Sequence, residues 1–171
     1  KYAEIRGLSA LLLKGKKIVL GVTGGIAVYK AVDLVSRLRK QGAEVRVVMT
    51  EHARQFVTPL TFKEISGNAV ATSMWNSNQE FNVEHIALAN WADVFVVAPA
   101  TANIIAKMAH GLADDLLSTT LLAAQAPIIV CPAMIPRGTH VSCRFRYSVI
   151  ASLTILRKDI PCLLYTSDAA D

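Results

Sequence analysis

The chain has 171 residues, a length that suits one domain with a sizeable hydrophobic core. Hydrophobic residues make up 53% of it and charged residues 18%, a composition that excludes intrinsic disorder. The net charge of +5 comes from scattered Lys and Arg residues with few aromatic residues among them, which argues against a nucleic-acid module. A small-molecule ligand that carries phosphate explains this charge equally well.

The N-terminal stretch and the cysteines indicate a cytoplasmic protein. The apolar stretch 8–13 is too short to span a bilayer, and the basic residues after it lack a convincing cleavage site. We predict a helix over residues 1–13 that packs on the domain or on a partner subunit, and no membrane partner. Cys131, Cys143 and Cys162 lack metal-ligand spacing, and their odd number gives no complete disulfide framework, so we expect a reducing cytoplasm.

From residue 18 to residue 131, apolar runs of strand length alternate with helical patterns. This alternation is typical of βαβ units and a parallel sheet. We therefore predict an α/β fold of the Rossmann-like (flavodoxin-like) type, with helices on both faces of the sheet. The predicted strands are 18–22, 44–49, 70–71, 94–98 and 128–131. The predicted helices are 27–40, 51–56, 59–65, 102–110 and 115–124.

The first predicted strand runs into a glycine turn that leads to a helix, with the sequence Gly21-Val22-Thr23-Gly24-Gly25-Ile26-Ala27. Glycines lack a Cβ atom, so the amides of such a turn can approach a phosphate, and the helix N-terminus adds a favourable dipole. The turn is neither the G-x-G-x-x-G dinucleotide fingerprint nor a P-loop. A tight strand-to-helix turn without a ligand therefore remains an alternative for this motif alone.

Small polar residues follow the next two long strands. Thr50 ends the strand 44–49, and Ala98-Pro99-Ala100-Thr101-Ala102-Asn103 runs from the strand 94–98 into a helix. The carboxyl ends of parallel strands share one rim of the sheet, so we expect Thr50, Thr101 and Asn103 to lie beside Gly24 and to face a phosphorylated ligand. Helix capping is the alternative role for all three residues, and the two roles can coexist.

Among the four histidines, His85 begins a short segment that leads directly into the strand 94–98. An imidazole that titrates near neutral pH suits proton transfer beside a cofactor, and a structural or solvated histidine is the alternative. Asp114 and Asp115 stand at a helix start, where we favour a capping role over a catalytic one.

Taken in chain order, these motifs resemble those of one family, the homo-oligomeric flavin-containing cysteine decarboxylases. The resemblance covers residues 14–134 and is specific as an ordered set. Its motifs are the turn 21–27, Val48-Met49-Thr50-Glu51, His85-Ile86, the run 98–103, Gly111-Leu112-Ala113-Asp114-Asp115-Leu116-Leu117-Ser118, and Pro132-Ala133-Met134.

The resemblance implies a domain over residues 14–134 that binds FMN and decarboxylates 4'-phosphopantothenoylcysteine to 4'-phosphopantetheine in coenzyme A biosynthesis. It implies that His85 is a catalytic acid or base near the substrate thiol. It also implies a homo-oligomer, a trimer or a dodecamer of trimers, with the flavin near a subunit boundary. The positions that match or adjoin the flavin in this family are Thr23, Gly24, Gly25, Ile26, Thr50, Thr101, Ala102, Asn103 and Ala133.

After Met134 the sequence departs from the family pattern. Ile135 stands where the family has an asparagine that binds the substrate carboxylate, and neither Cys143 nor Cys162 stands in the context of the family's clamp cysteine. The segment 135–171 contains no Glu and looks foreign or out of frame. We therefore expect a truncated chain that keeps most of the flavin site, lacks a following synthetase domain, and has impaired decarboxylase activity.

Two other functions remain as alternatives. The first is a non-catalytic FMN-binding or regulatory subunit of the same family, although the presence of His85 favours descent from an enzyme. The second is an enzyme similar to the flavin prenyltransferases, whose distinct glycine-serine turn and phosphate-gripping arginines are not evident in this sequence.

Overall fold

A computed structural model describes residues 12–74 and 84–133 of the chain. Leu12 and Leu13 lie in a turn. The rest of the helix predicted over residues 1–13 lies outside the described residues. The same holds for Met134, for Ile135 and for the whole segment 135–171.

The described residues form five strands and six helices. The strands are β1 (Lys17–Val22), β2 (Glu44–Met49), β3 (Val70–Ala71), β4 (Val94–Ala100) and β5 (Ile128–Pro132). The helices are α1 (Val28–Lys40), α2 (Glu51–Arg54), α3 (Pro59–Ser66), α4 (Glu84–Trp91), α5 (Ala102–His110) and α6 (Leu116–Ala123). Every predicted strand and helix between residues 18 and 131 is present, with ends that differ by two residues at most. No helix in the described ranges is both long and apolar enough to cross a membrane.

The five strands form one parallel sheet in the order β3-β2-β1-β4-β5. These are the first five strands of the Rossmann order. After β1 the chain builds outwards through β2 and β3, and it then returns to place β4 on the other side of β1. The order therefore reverses between β1 and β4. In open α/β sheets, ligands bind outside the carboxyl ends of the strands at such a reversal.

Helices cover both faces of the sheet, as predicted. On one face, Ile18, Leu20 and Val22 of β1 pack in a buried cluster with residues of α1 and with Phe62 of α3. On the other face, Val19 belongs to a cluster formed with α4, α5 and α6. Because β1 and β4 are buried on both faces, their sequences are nearly continuous apolar runs.

Candidate cofactor site

A cleft of about 500 Å³ opens at the carboxyl ends of β1, β2 and β4. This volume lies in the range of small-molecule and cofactor sites. The cleft brings together five of the predicted site residues, which follow three different strands. Its lining consists of Thr23, Gly24, Thr50, Glu51, His52, Thr101, Asn103, Ile104, Lys107 and Asp115.

The other predicted flavin residues lie next to the cleft lining rather than in it. Gly25 follows Gly24 in the turn, close to Thr101, and Ile26 is 70% exposed. Ala102 is the exposed first residue of α5. The amide of Ala133 donates a hydrogen bond to the carbonyl of Ala100 over 3.0 Å, which holds the end of β5 against the end of β4.

His85, the predicted catalytic residue, does not line the cleft in the described part of the chain. It lies in the first turn of α4, is half-buried, and is absent from the cleft lining. The short segment that follows the histidine is a helix, and its Leu88 packs on the face of the sheet that α5 and α6 cover.

Thr50 and Thr101 both act as helix caps at the cleft. The Thr50 hydroxyl oxygen accepts a hydrogen bond from the amide of Ala53 in α2 over 3.4 Å. The Thr101 hydroxyl oxygen accepts one from the amide of Ile104 in α5 over 3.5 Å. The capping alternative is thus realised at both positions. A hydroxyl that accepts in a cap keeps its own proton for donation, so both residues can still donate to a ligand.

The hydroxyl of Thr23 is used inside the protein. Its side chain is 2% exposed, and its oxygen donates a hydrogen bond to the carbonyl of Pro99 over 2.6 Å. The same oxygen accepts a hydrogen bond from the amide of Thr101 over 3.0 Å. Thr23 therefore links the end of β1 to the segment that follows β4.

Gly24 is required by a close approach that the sequence did not reveal. A Cβ atom at this position would lie 2.7 Å from the carbonyl carbon of His52 and 3.0 Å from its oxygen. The missing side chain thus lets α2 pack directly on the glycine turn. At Gly25 a Cβ atom would make an ordinary contact, 3.6 Å from the Cγ2 atom of Thr101.

An ion cluster joins α5 to the start of α6 at one wall of the cleft. The Lys107 side chain is 15% exposed, and its ammonium lies 2.6 Å from Asp114 Oδ1 and 2.7 Å from Asp115 Oδ2. Asp115 also caps α6, since its Oδ1 accepts from the amide of Ser118 over 2.8 Å while the Ser118 hydroxyl accepts from the amide of Asp115. The favoured capping role is confirmed for Asp115.

The two sides of this cluster shift each other's pKa values in opposite directions. Burial alone would raise the pKa of the Asp115 carboxyl, but hydrogen bonds from Lys107 and Ser118 outweigh it and hold the pKa below its usual value. Burial alone would lower the pKa of the Lys107 ammonium, but hydrogen bonds to Asp114 and Asp115 raise it instead. Lys107 and Asp115 are therefore both charged at neutral pH.

Five of the ten lining residues were not predicted as site residues: Glu51, His52, Ile104, Lys107 and Asp115, the last of which was predicted only as a cap. A signal for Lys107 was present, because it follows Asn103 by four residues and so lies on the same face of the helix. His52 carried no such signal, since its position depends on how α2 packs against the turn. The described part of the chain holds no cluster of His, Cys, Asp and Glu side chains placed to bind a metal ion.

A comparison with models of known protein families shows to which family this chain belongs. The model of the Flavoprotein family matches residues 9–141. The chain belongs to the Flavoprotein family. This confirms the predicted resemblance to flavin-containing proteins.

The most similar curated relatives of this Flavoprotein chain include coenzyme A biosynthesis bifunctional proteins CoaBC. The protein of Vibrio vulnificus is 53% identical over 122 residues, which cover 71% of this chain and 30% of that protein. The protein of Escherichia coli is 54% identical over 122 residues, with the same coverage of each chain. The protein of Bacillus subtilis is 44% identical over 157 residues, which cover 92% of this chain and 37% of that protein. This chain thus spans about a third of the length of these relatives.

Solved structures of similar proteins confirm the fold. The FMN-dependent cysteine decarboxylase SpaF matches with a TM-score of 0.65 and 35% identity, covering 73% of this chain and 70% of that one. A PPC decarboxylase mutant complexed with pantothenoylaminoethenethiol matches with a TM-score of 0.59 and 32% identity, covering 71% and 69%. The FMN binding protein AtHal3 matches with a TM-score of 0.61 and 32% identity, covering 71% and 67%.

The close approach at Gly24 generates a stability prediction. Gly24→Ala is expected to lower the free energy of unfolding by about 1–3 kcal/mol, because the new methyl group overlaps backbone atoms of His52 that cannot rotate away. Gly25→Ala is the matched control in the same turn and should change it by about 0.5 kcal/mol at most. Urea unfolding of both purified variants measures the difference. Equal losses would show that the approach of His52 is not what requires the glycine.

The ion cluster generates a prediction about pH. The lowered pKa of Asp115 means that its charge stabilises the folded chain at neutral pH, and this stabilisation is lost as the pH falls through the folded-state pKa. Asp115→Asn keeps a capping side chain but removes the charge, so we expect a loss of about 1 kcal/mol at neutral pH. The difference between variant and parent should shrink as the pH falls below about 4.

The control for this experiment is Asp33→Asn, which removes the charge from an exposed pair with Arg37 at 2.7 Å. Exposed pairs of this kind contribute little, so this variant should lose less than about 0.5 kcal/mol at any pH. Urea unfolding at several pH values measures both variants. A gap between Asp115→Asn and the parent that stays constant with pH would contradict the role assigned to the carboxylate charge.

Proposed function

We propose that this chain is an FMN-binding decarboxylase domain that converts 4'-phosphopantothenoylcysteine to 4'-phosphopantetheine in cytoplasmic coenzyme A biosynthesis. The observation that carries the proposal is the polar cleft at the sheet reversal, in a chain 53% identical to part of a CoaBC protein. The names of the solved relatives support FMN as the cofactor and a PPC-type substrate.

The size and the donor groups of the cleft fit FMN. Its volume of about 500 Å³ suits a ligand of this size. Thr50, Thr101 and Asn103 offer hydroxyl and amide donors, and the N-terminus of α5 offers backbone amides and a dipole that favour an anionic phosphate. The ammonium of Lys107 is shared between two carboxylates, so we assign the recognition of the phosphate to neutral donors and amides.

In this proposal the residues of the cleft rim bind and orient the cofactor, while His85 holds or moves a proton near the substrate thiol. When bound, FMN supplies the two-electron oxidation of the substrate's cysteine side chain that makes loss of carbon dioxide easy, and later returns the electrons. Among the described residues His85 does not line the cleft, and an assembly in which a neighbouring chain completes the site would account for this. We therefore propose a homo-oligomer, a trimer or a dodecamer of trimers.

A second candidate function is a non-catalytic FMN-binding or regulatory subunit. The position of His85 supports it, since the histidine lies at the start of α4 and does not line the cleft formed by the described residues. The two functions share the cofactor and differ in turnover, so one experiment separates them.

That experiment is an absorbance spectrum of the purified full chain followed by an assay of carbon dioxide release from 4'-phosphopantothenoylcysteine. We expect a yellow protein and turnover. We also expect His85→Asn to keep FMN but to lower kcat at least 100-fold, the scale of general acid–base catalysis. His110→Asn, at an exposed histidine that ends α5, is the control and should leave kcat unchanged.

The outcomes of this experiment are distinct. A colourless protein that takes up no added FMN would overturn the proposal as a whole. Bound FMN without turnover in the parent chain and also in Ile135→Asn would favour the non-catalytic subunit, whereas turnover restored by Ile135→Asn would indicate an impaired enzyme. Turnover that survives in His85→Asn would remove the proposed role of the histidine and leave the cofactor assignment intact.

The position of Ile135 supports a further expectation, that substrate recognition in this chain is impaired. The family resemblance implies an asparagine here that hydrogen-bonds the substrate carboxylate, and the side chain of isoleucine cannot donate. Ile135→Asn should therefore raise kcat/KM about tenfold, chiefly through a lower KM, the effect of about one hydrogen bond. The Kd of FMN is the internal control and should not change. An unchanged kcat/KM would contradict the expectation.

A further inference from the structure

Thr23 lies at the point where the regular pairing of β1 and β4 ends. The parallel register of the two strands runs from Ile18 opposite Val94 to Gly21 opposite Val97, and no further. On the far side of β4, the pairing with β5 shifts its register between Val97 and Ala100. The backbone of residues 98–100 is thus held by an irregular set of hydrogen bonds at the place where the cleft begins.

The Thr23 hydroxyl continues the link between the strands beyond the last paired residues. It donates to the carbonyl of Pro99 over 2.6 Å and accepts from the amide of Thr101 over 3.0 Å. These partners are 76 and 78 residues away in the sequence, so the link is tertiary. With its single proton donated and an amide accepted, the oxygen has one lone pair left, and the side chain is 2% exposed.

The residue that Thr23 fixes is a central one for the cleft. Thr101 caps α5 with its own hydroxyl and lines the cleft together with Asn103. Thr101 is the N-cap of α5, so the position of its backbone sets the direction in which α5 starts and in which the N-terminal amides of α5 point. A displacement of this amide would move the Thr101 hydroxyl, Asn103 and the helix dipole together.

We propose that Thr23 is a positioning residue, which acts on the cofactor through Thr101 and the N-terminus of α5 rather than by contact with FMN. The effect on FMN rests on the proposed function. The effect on the amide of Thr101 does not, because it can be measured in the FMN-free chain.

The test replaces the hydroxyl while keeping the shape of the side chain. In Thr23→Val the carbonyl of Pro99 and the amide of Thr101 lose their partner in a buried place. We expect the hydrogen exchange of the Thr101 amide, measured by NMR on the full FMN-free chain, to speed up about tenfold or more. We expect the Kd of FMN to rise about tenfold, the effect of roughly one lost hydrogen bond. Thr23→Ser restores the hydroxyl and should stay within about threefold of the parent in both measurements.

Thr120→Val is the matched control for loss of a buried threonine hydroxyl. Thr120 is fully buried in α6, donates to the carbonyl of Leu116 over 2.6 Å, and does not line the cleft. This variant should unfold at a lower urea concentration than the parent but keep the exchange rate of Thr101 and the Kd of FMN. The contrast separates a positioning role from a general loss of stability.

Each outcome decides the proposal. Faster exchange at Thr101 with weaker FMN binding supports it. Weaker FMN binding with unchanged exchange overturns it in favour of direct contact between Thr23 and the cofactor. Unchanged FMN binding, with or without faster exchange, overturns it in favour of a purely structural role. If the parent binds no FMN, the proposed function fails, and the exchange of Thr101 alone still tests the link. If Thr23→Val does not fold, Thr23→Ala removes the same hydroxyl, and parent-like exchange in it overturns the proposal.

Discussion

The parallel pairing of β1 with β4 is the constraint on which the rest of this structure depends. Parallel strands cannot be joined by a hairpin, so each must be followed by a crossover helix. The helix after β1 packs on one face of the sheet, and the helix after β4 packs on the other. The backbone segments that follow β1 and β4 therefore diverge at the carboxyl ends of these neighbouring strands. The cleft lies between the two diverging segments.

The charged side chains at the cleft form ion pairs with one another and with neighbouring residues, so they do not concentrate positive charge that would attract an anion. Lys107 is the cation among the lining residues, and its ammonium is held by Asp114 and Asp115. Glu51 also lines the cleft and pairs with Arg54 on α2. The net charge of +5 is therefore not concentrated at this site, although the sequence made a phosphate-bearing ligand one explanation for it. Among the described residues, the groups left to attract a phosphate are neutral side-chain donors, backbone amides and helix dipoles, and the fold fixes the directions of the last two.

The sequence was sufficient for the fold because its signals are local. A strand buried on both faces is an apolar run, as in Val94–Ala100, and a helix start is marked by its cap, as at Asp115. The reason for Gly24 could not be predicted in the same way, because it depends on the backbone of His52, which arrives there only after α2 has packed. The role of His85 was inferred from its order in the chain and from the family resemblance, and neither gives the distance between its side chain and the cleft.

Thr23, Thr50 and Thr101 lie at one rim of the sheet, and the sequence alone does not predict which of their hydroxyls can donate to a ligand. Each has the same hydroxyl, but the structure uses them differently. In the described residues Thr50 and Thr101 accept a hydrogen bond in a cap, which leaves the proton of each for a ligand, whereas Thr23 both donates and accepts within the protein. The strand-end pattern predicts Thr50 and Thr101 as site residues, and the family resemblance adds Thr23 without distinguishing its role from theirs. The direction of each hydrogen bond distinguishes a threonine that can donate to a ligand from Thr23, whose proton is already donated to the carbonyl of Pro99. The partners of Thr23 are 76 and 78 residues away in the sequence, so a local sequence pattern cannot reveal them.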